Sequence, residues 1–280
     1  MEDWNVVDKT NSTVHHSILP PKKSKMKKII IISVWSILII GLIVTLGFID
    51  RKEAVLPLKG LEVTVSQDDQ NFFIDKMDVE QIIHERGDTI VNEPASDLNI
   101  PALEQALNSH LAIANAEVYT TIDGEMKIDI QQRKPIVRII NKFMDSYYID
   151  NTGKLMPLSD KFTARVLVVN GNIDESYSKY YQKTIAQIEA DTNLKKLTWL
   201  DEVYDLATFI QADTFWKAQI QQVFIDNSNE IELIPRVGDH RILLGDMTDL
   251  KAKFYKLLIF YLKGLNTTGW WKAYSVINLK

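Results

Sequence analysis

Ala116–Gln131, AEVYTTIDGEMKIDIQ, consists of two alternating apolar/polar runs meeting at Asp123-Gly124. Alternation over Ala116–Ile122 and Glu125–Gln131 is the period of half-buried strands. Asp-Gly between such runs predicts a hairpin, because a tight primed turn needs positive φ.

Upstream of this hairpin, Leu61, Val63 and Val65 alternate with polar residues and predict a strand. Asp78 is placed to cap a short helix carrying Val79, Ile82 and Ile83 on one face. Asn99 and Pro101 open a second helix, with Leu103, Ala106, Leu107 and Leu111 at helical spacing. Arg133-Lys134-Pro135 and the apolar run Ile136–Ile140 follow the hairpin. The order strand, helix, helix, strand, strand predicts an α+β block over residues 58–140.

A second, β-rich block is predicted over 141–280. Tyr147–Asp150 and Lys154–Pro157 flank Asn151-Thr152-Gly153, another hairpin signal. Val166–Val169 is a buried-strand run. Helical stretches are predicted over Tyr177–Ala190 and Leu200–Gln211, the latter with Val203, Leu206, Ala207 and Ile210 on one face. Gln222–Asp226, Glu230–Arg236 and Arg241–Leu244 form a three-strand meander. An amphipathic helix follows, with Leu250, Phe254, Leu257, Leu258, Tyr261 and Leu262 on its inner face, broken at Asn266–Gly269. Lys272–Leu279 reads as a last strand, either completing the sheet or leaving an edge open to a partner.

Ile29–Ile49, IIIISVWSILIIGLIVTLGFI, contains no charged residue. About 20 apolar residues suffice for a helix to span a bilayer, so a transmembrane helix is expected. A cleaved signal peptide would have a shorter apolar region and a small-residue cleavage site, and neither is present. The first 28 residues hold six Lys against three Asp or Glu, a net of +3. With a chain total of −5, the remainder carries −8. The lysines of residues 22–28 place the N-terminus inside. Residues 1–28 then form a cytoplasmic tail and 50–57 a connector on the far side.

The acidic remainder argues against nucleic-acid binding, which needs a basic face. With no cysteine, disulfides, thiolate metal sites and a Cys nucleophile are ruled out. No nucleophile elbow, zinc-protease, P-loop or dinucleotide-binding pattern is present. His15 and His16 fall in the tail, and His84, His110 and His240 are scattered singly. Asp68-Asp69 and Asp201-Glu202 read as solvated loop and helix-end charges. Trp270-Trp271 is either a binding anchor or a plug at the end of the core. No catalytic, cofactor-binding or metal residue is assigned, and no small-molecule substrate is expected.

The layout resembles the FtsQ/DivIB family of cell-division proteins: a short cytoplasmic tail, one anchor, a POTRA domain and a β domain. Ile113–Val118 is similar to the family's run into its second POTRA strand, and Gln132–Ile136 to the R-x-P that ends the third. Tyr148-Ile149-Asp150, Gly153 and Met156-Pro157-Leu158 resemble its hairpin motif. Ile231–Gly238 and Leu243-Leu244-Gly245 resemble the meander of the Bacteroidetes branch. Ile277-Asn278-Leu279-Lys280 resembles the I-D-L-R motif leading into the last strand. The family pattern continues beyond that motif with a Tyr-led strand, whereas this sequence ends at Lys280.

The resemblance implies a non-catalytic divisome scaffold, without cofactor, in the inner membrane at the division septum. Its bulk would be periplasmic and its partners FtsB-like and FtsL-like bitopic coiled-coil proteins. On the C-terminal helix it points to Lys251, Tyr255, Lys256 and Tyr261 as partner contacts. In the last segment it points to Tyr274, Ile277 and Lys280, and Trp270 and Trp271 join them as the candidate binding anchor. On the residues alone, two other readings stay open: a POTRA-containing outer-membrane assembly or secretion component, and an anchored periplasmic enzyme with an unrecognised site.

Overall fold

A computed structural model describes residues 25–55, 57–66, 72–87, 90, 94 and 97–280. The expected tail up to residue 24, with His15 and His16, lies outside the described residues, as does Asp68-Asp69. The chain divides into two units, Met1–Ala54 and Val55–Lys280.

The described part of the first unit is helix α1, Lys25–Val55, whose last residue belongs to the second unit. It continues through most of the stretch expected as a connector. Its side chains are described from Ile29 to Thr45, all solvent-exposed. Among the described residues no helix is long and apolar enough to cross a membrane. The described side chains stop at Thr45, before the apolar run ends at Ile49.

The second unit begins with the expected α+β block. Its elements are β1 Gly60–Ser66, α2 Lys76–Glu85, α3 Ile100–Ser109, β2 Ile113–Thr120 and β3 Glu125–Gln132. The three strands form one sheet in the order β1-β3-β2. β1 runs parallel to β3, and β2 runs antiparallel to it. Gly124 has φ 83°, as the turn between β2 and β3 requires. On the central strand Met126, Ile128 and Ile130 are buried, facing Val79 and Ile83 of α2 and Leu103 and Leu107 of α3. Each such side chain contributes about 1.5–3 kcal/mol on burial. α3 begins as expected, with Asn99 accepting the Ala102 N–H at 3.1 Å. It ends at Ser109, so Leu111 lies beyond it and is exposed. At α2 the expectation needs correction. The cap is Asp75, not Asp78, and Asp78 is the third residue of a reciprocal capping box with it.

The remaining strands build an eight-stranded mixed sheet from β4 Pro135–Ile140, β5 Ser146–Asp150, β6 Leu155–Pro157, β7 Leu167–Gly171, β8 Ile220–Ile225, β9 Ile231–Pro235, β10 Arg241–Gly245 and β11 Val276–Asn278. Their order is β11-β10-β9-β8-β7-β4-β5-β6. The run placed with the first block, Ile136–Ile140, therefore belongs to this second sheet. There it pairs with β5 on one side and β7 on the other. Pro135 lacks an N–H and opens the strand. The hairpin β5–β6 and the meander β8–β9–β10 form as expected.

Between β7 and β8 lie α4 Tyr177–Tyr180, α5 Ile185–Ala190, α6 Thr192–Leu197, α7 Leu200–Gln211 and α8 Thr214–Gln219. The single helix expected over Tyr177–Ala190 is two helices. The Lys183 N–H closes a turn on the Tyr180 carbonyl at 2.8 Å, and Thr184 starts α5 with a capping box to Gln187. α7 presents the expected face, with Val203, Leu206, Ala207 and Ile210 buried against the sheet.

The two sheets share packing. Tyr148 and Met156 of the β5–β6 hairpin lie in the core of the first block, with the Tyr148 ring 5.9 Å from Phe73. The Arg133 guanidinium donates to the Ile113 carbonyl at 3.2 Å and to the Leu155 carbonyl at 3.3 Å, tying β2 to β6.

Candidate partner-binding face

The chain after β10 decides which surface is presented. Helix α9, Leu250–Ile259, leads without interruption into a π-helical segment, Phe260–Leu265, and the short α10, Asn266–Thr268. Gly269, at φ 70°, ends the run. A π turn adds one residue per turn and rotates everything after it. The buried apolar positions are Phe254, Leu257, Tyr261 and Leu265, the spacing of one helix face. Leu262, expected on the inner face, turns out to solvent. Lys253 is buried, and its ammonium donates to the Asp246 carbonyl at 3.0 Å and to Asp246 Oδ1 at 2.8 Å. This ammonium, followed by the Thr248 donors, holds the Asp246 carboxyl well below the ordinary range.

β11 is the terminal strand of the sheet, three residues long, and shorter than the Lys272–Leu279 run expected. It runs parallel to β10, with Ile277 opposite Ile242. The Arg241 N–H donates to the Ser275 carbonyl at 3.0 Å, and the Leu279 N–H to the Leu243 carbonyl at 2.9 Å. In a parallel ladder the N–H and C=O of one residue face the same neighbour. Ser275, Ile277 and Leu279 therefore face β10. The N–H and C=O of Val276 and Asn278 point off the sheet, and among the described residues no strand lies beyond them.

Between this edge and the helix runs a groove of about 400 Å³. Lys256, Phe260, Tyr274, Ile277 and Lys280 contribute to it, and the Tyr274 ring stands edge-on to Phe260 at 5.4 Å. The Lys280 ammonium is ion-paired with Glu230.

The nine residues singled out in the sequence separate into three groups. Lys256, Tyr274, Ile277 and Lys280 come together at the groove. Lys251, Tyr255 and Trp270 are exposed outside it, Tyr255 at 64% and Trp270 at 58%. Tyr261 and Trp271 turn inward. Tyr261 is fully buried, its hydroxyl 2.8 Å from His240 Nε2, and the Trp271 ring packs 5.2 Å from it. Tyr261 is therefore corrected from a contact residue to part of the support beneath the face: it lies four residues after Leu257 on the apolar stripe of the helix and is fully buried. The Ile277 side chain is also buried, which leaves its strand rather than its side chain to meet a partner. Trp271 acts as the plug and Trp270 stays free. Phe260, Val276 and Asn278 also line the groove; they fall within the expected helix and last segment but were not singled out individually. Phe260 is one of several apolar residues on an amphipathic helix, so spacing alone could not mark it.

The arrangement offers strand pairing and apolar contact. Among the described residues no group of three His, Cys, Asp or Glu could hold a metal ion. Glu175 is buried, and burial pushes its carboxyl above the ordinary range, partly offset by the Trp199 N–H at 2.7 Å. Its own carbonyl accepts from Asn141 Nδ2 and the Tyr147 hydroxyl, a structural set of contacts holding the loop after β7.

Two family models match. One, for a POTRA-like domain, covers residues 58–131. The other, described as FtsQ/DivIB, C-terminal related, covers residues 134–280. The break between the two matches falls between β3 and β4, where the first sheet ends and the second begins. No curated protein matches the chain.

Proposed function

Because this chain belongs to the FtsQ/DivIB family, we propose that it is a non-catalytic scaffold of the bacterial division machinery, anchored in the inner membrane by α1. On this reading residues 1–28 are cytoplasmic, 29–49 span the bilayer, and the POTRA-like and C-terminal domains stand in the periplasm at the septum.

The edge of β11 carries the reading. A partner strand laid against Val276 and Asn278 gains main-chain hydrogen bonds, and the groove beside Phe260 and Tyr274 takes its side chains. The partners proposed are FtsB-like and FtsL-like bitopic coiled-coil proteins. Lys251, Tyr255 and Trp270 extend the contact along the helix face.

For the anchor, the support is chemical. The Ile29–Ile49 run has no charge, and every side chain described on it is exposed. A helix rising about 1.5 Å per residue carries such a run across the roughly 30 Å hydrocarbon core. The Thr45 hydroxyl donates to the Gly41 carbonyl at 3.0 Å, so this polar group is satisfied within the helix. The five lysines of residues 22–28 set the orientation. A shared bilayer confines scaffold and partners to two dimensions and raises their effective concentration.

Depletion of the protein in its host tests the function. Filamentous cells with unlocalised late septal enzymes are expected, and normal division on depletion would contradict it. A mature N-terminus near residue 50 would overturn the anchor.

A further inference from the structure

A second groove, of about 630 Å³, lies at the starts of β4 and β7, on the opposite side of the sheet order from β11. Three cations line it, Lys134, Arg165 and Lys217, and among the described residues no carboxylate does. In a chain of net charge −5, three cations and, among the described residues, no acid on one concave surface is a local reversal of sign. Arg165 and Lys217 are exposed and form no ion pair among the described residues. These two cations are thus available to an outside anion.

The rest of the wall mixes the polar Asn151, Thr163 and Gln211 with apolar groups. Phe72 of the POTRA-like domain is half-exposed and stands edge-on to Phe162 at 5.9 Å, beside Pro135 and Ile136. Phe72 precedes α2, and the cations come from the C-terminal domain, so an occupant would touch both. The Gln211 amide donates to the Ile136 carbonyl at 3.1 Å and fixes that wall to the end of α7.

We propose that this groove is a second docking site, for an extended acidic peptide segment carrying an apolar side chain. Its carboxylates would meet Arg165, Lys217 and Lys134, and its apolar residue would lie on Phe72 and Phe162. Charge complementarity selects this occupant. The concave shape with an aromatic wall favours a peptide over a membrane surface, which a convex basic face suits better.

The test uses the full-length protein in nonionic detergent and a panel of labelled peptides alternating Glu with Leu or Phe, plus the same peptides with Lys for Glu. Fluorescence anisotropy should show the acidic set bound and the lysine set not bound. The double variant R165E/K217E should weaken the acidic set roughly tenfold or more and turn the preference toward the lysine set. Binding should also fall from about 0.1 M to about 1 M salt, as the Debye length shortens from ~10 to ~3 Å. Because both residues are exposed, an unchanged melting curve is expected for the variant. Vesicles of phosphatidylglycerol form the second arm. Absence of any preference for the acidic set, a preference the double variant leaves intact, or vesicle binding lost in the variant without peptide binding in the parent would each overturn the proposal.

Discussion

His240 Nε2 lies 2.8 Å from the Tyr261 hydroxyl, joining the turn before β10 to the π turn that sets the partner face. The Trp271 ring packs on both residues, 6.4 Å from His240 and 5.2 Å from Tyr261. This cluster anchors the segment leading into β11, so its integrity governs the edge strand. Removing the hydroxyl with Tyr261→Phe leaves a buried ring nitrogen unpaired and should cost about 1–3 kcal/mol. Denaturant unfolding of the variant checks this, and an unchanged midpoint would show the bond to be idle.

The same histidine makes stability depend on pH. Burial pushes the His240 pKa below 6.5, opposed by the Trp271 backbone and by the Asp239 carboxylate. Between the lowered folded value and 6.5 the unfolded chain binds more protons than the folded one. Stability is therefore complete above pH 6.5 and declines as pH falls below it. Burial also lowers the His110 pKa, so His240→Gln should reduce that part of the slope without abolishing it, and an unchanged slope would assign it to His110 or another group.

Gly171 ends β7 at φ 110°, and a Cβ built on it would sit 2.1 Å from the Ile225 carbonyl oxygen. Gly171→Ala should thus incur about 1–3 kcal/mol of backbone strain, and in addition push β7 away from β8. Its urea midpoint should drop well below that of the parent. A midpoint within error of the parent would show that the two strands can part freely at that end.

Arg133 is the main polar tie between the two sheets. Besides its two carbonyl contacts, Nε lies 3.9 Å from Asp150 Oδ2, and both side chains are largely buried. Arg133→Ala should cost about 2–4 kcal/mol, since it strands carbonyls and a carboxylate together. By contrast Lys161, which donates to Asp75 and Asp78 from an exposed position, should matter little when truncated. Comparing the two variants by hydrogen exchange at the β2–β6 junction separates these roles. Equal loosening would contradict the ranking.

How far the sequence could be read depended on whether a signal was local. Asp123-Gly124 and Asn99-x-Pro101 report their own conformations, and both formed where expected. The apolar run Ile136–Ile140 carries no mark of which sheet receives it, because a strand with Val137 and Ile139 buried on one face and half-buried residues on the other suits either. The boundary between the blocks was therefore drawn after β4 instead of before it. The π turn escaped for a related reason: a 3.6-residue period continues plausibly through Tyr261 and Leu262, and only packing selects Tyr261 and Leu265. At Gly264 a Cβ would stand 3.2 Å from the Phe260 ring, a constraint visible only once the helix is built. At the candidate face, the order of elements pointed to the C-terminal helix and last strand, which the fold brings together at one groove. Which side chains face outward there depended on packing: Leu262 turns to solvent while Tyr261 and Leu265 are buried.

The claim that a partner strand adds to β11 is tested most directly by proline at its outward-facing position. Val276→Pro removes an N–H that points off the sheet while sparing the residues bonded to β10. The full-length protein, crosslinked in membranes and recovered by affinity, should capture small FtsB-like and FtsL-like proteins. The Val276→Pro form should fold with a similar melting curve and lose the FtsB-like partner. Undiminished capture by a folded Val276→Pro protein would contradict strand addition at this edge.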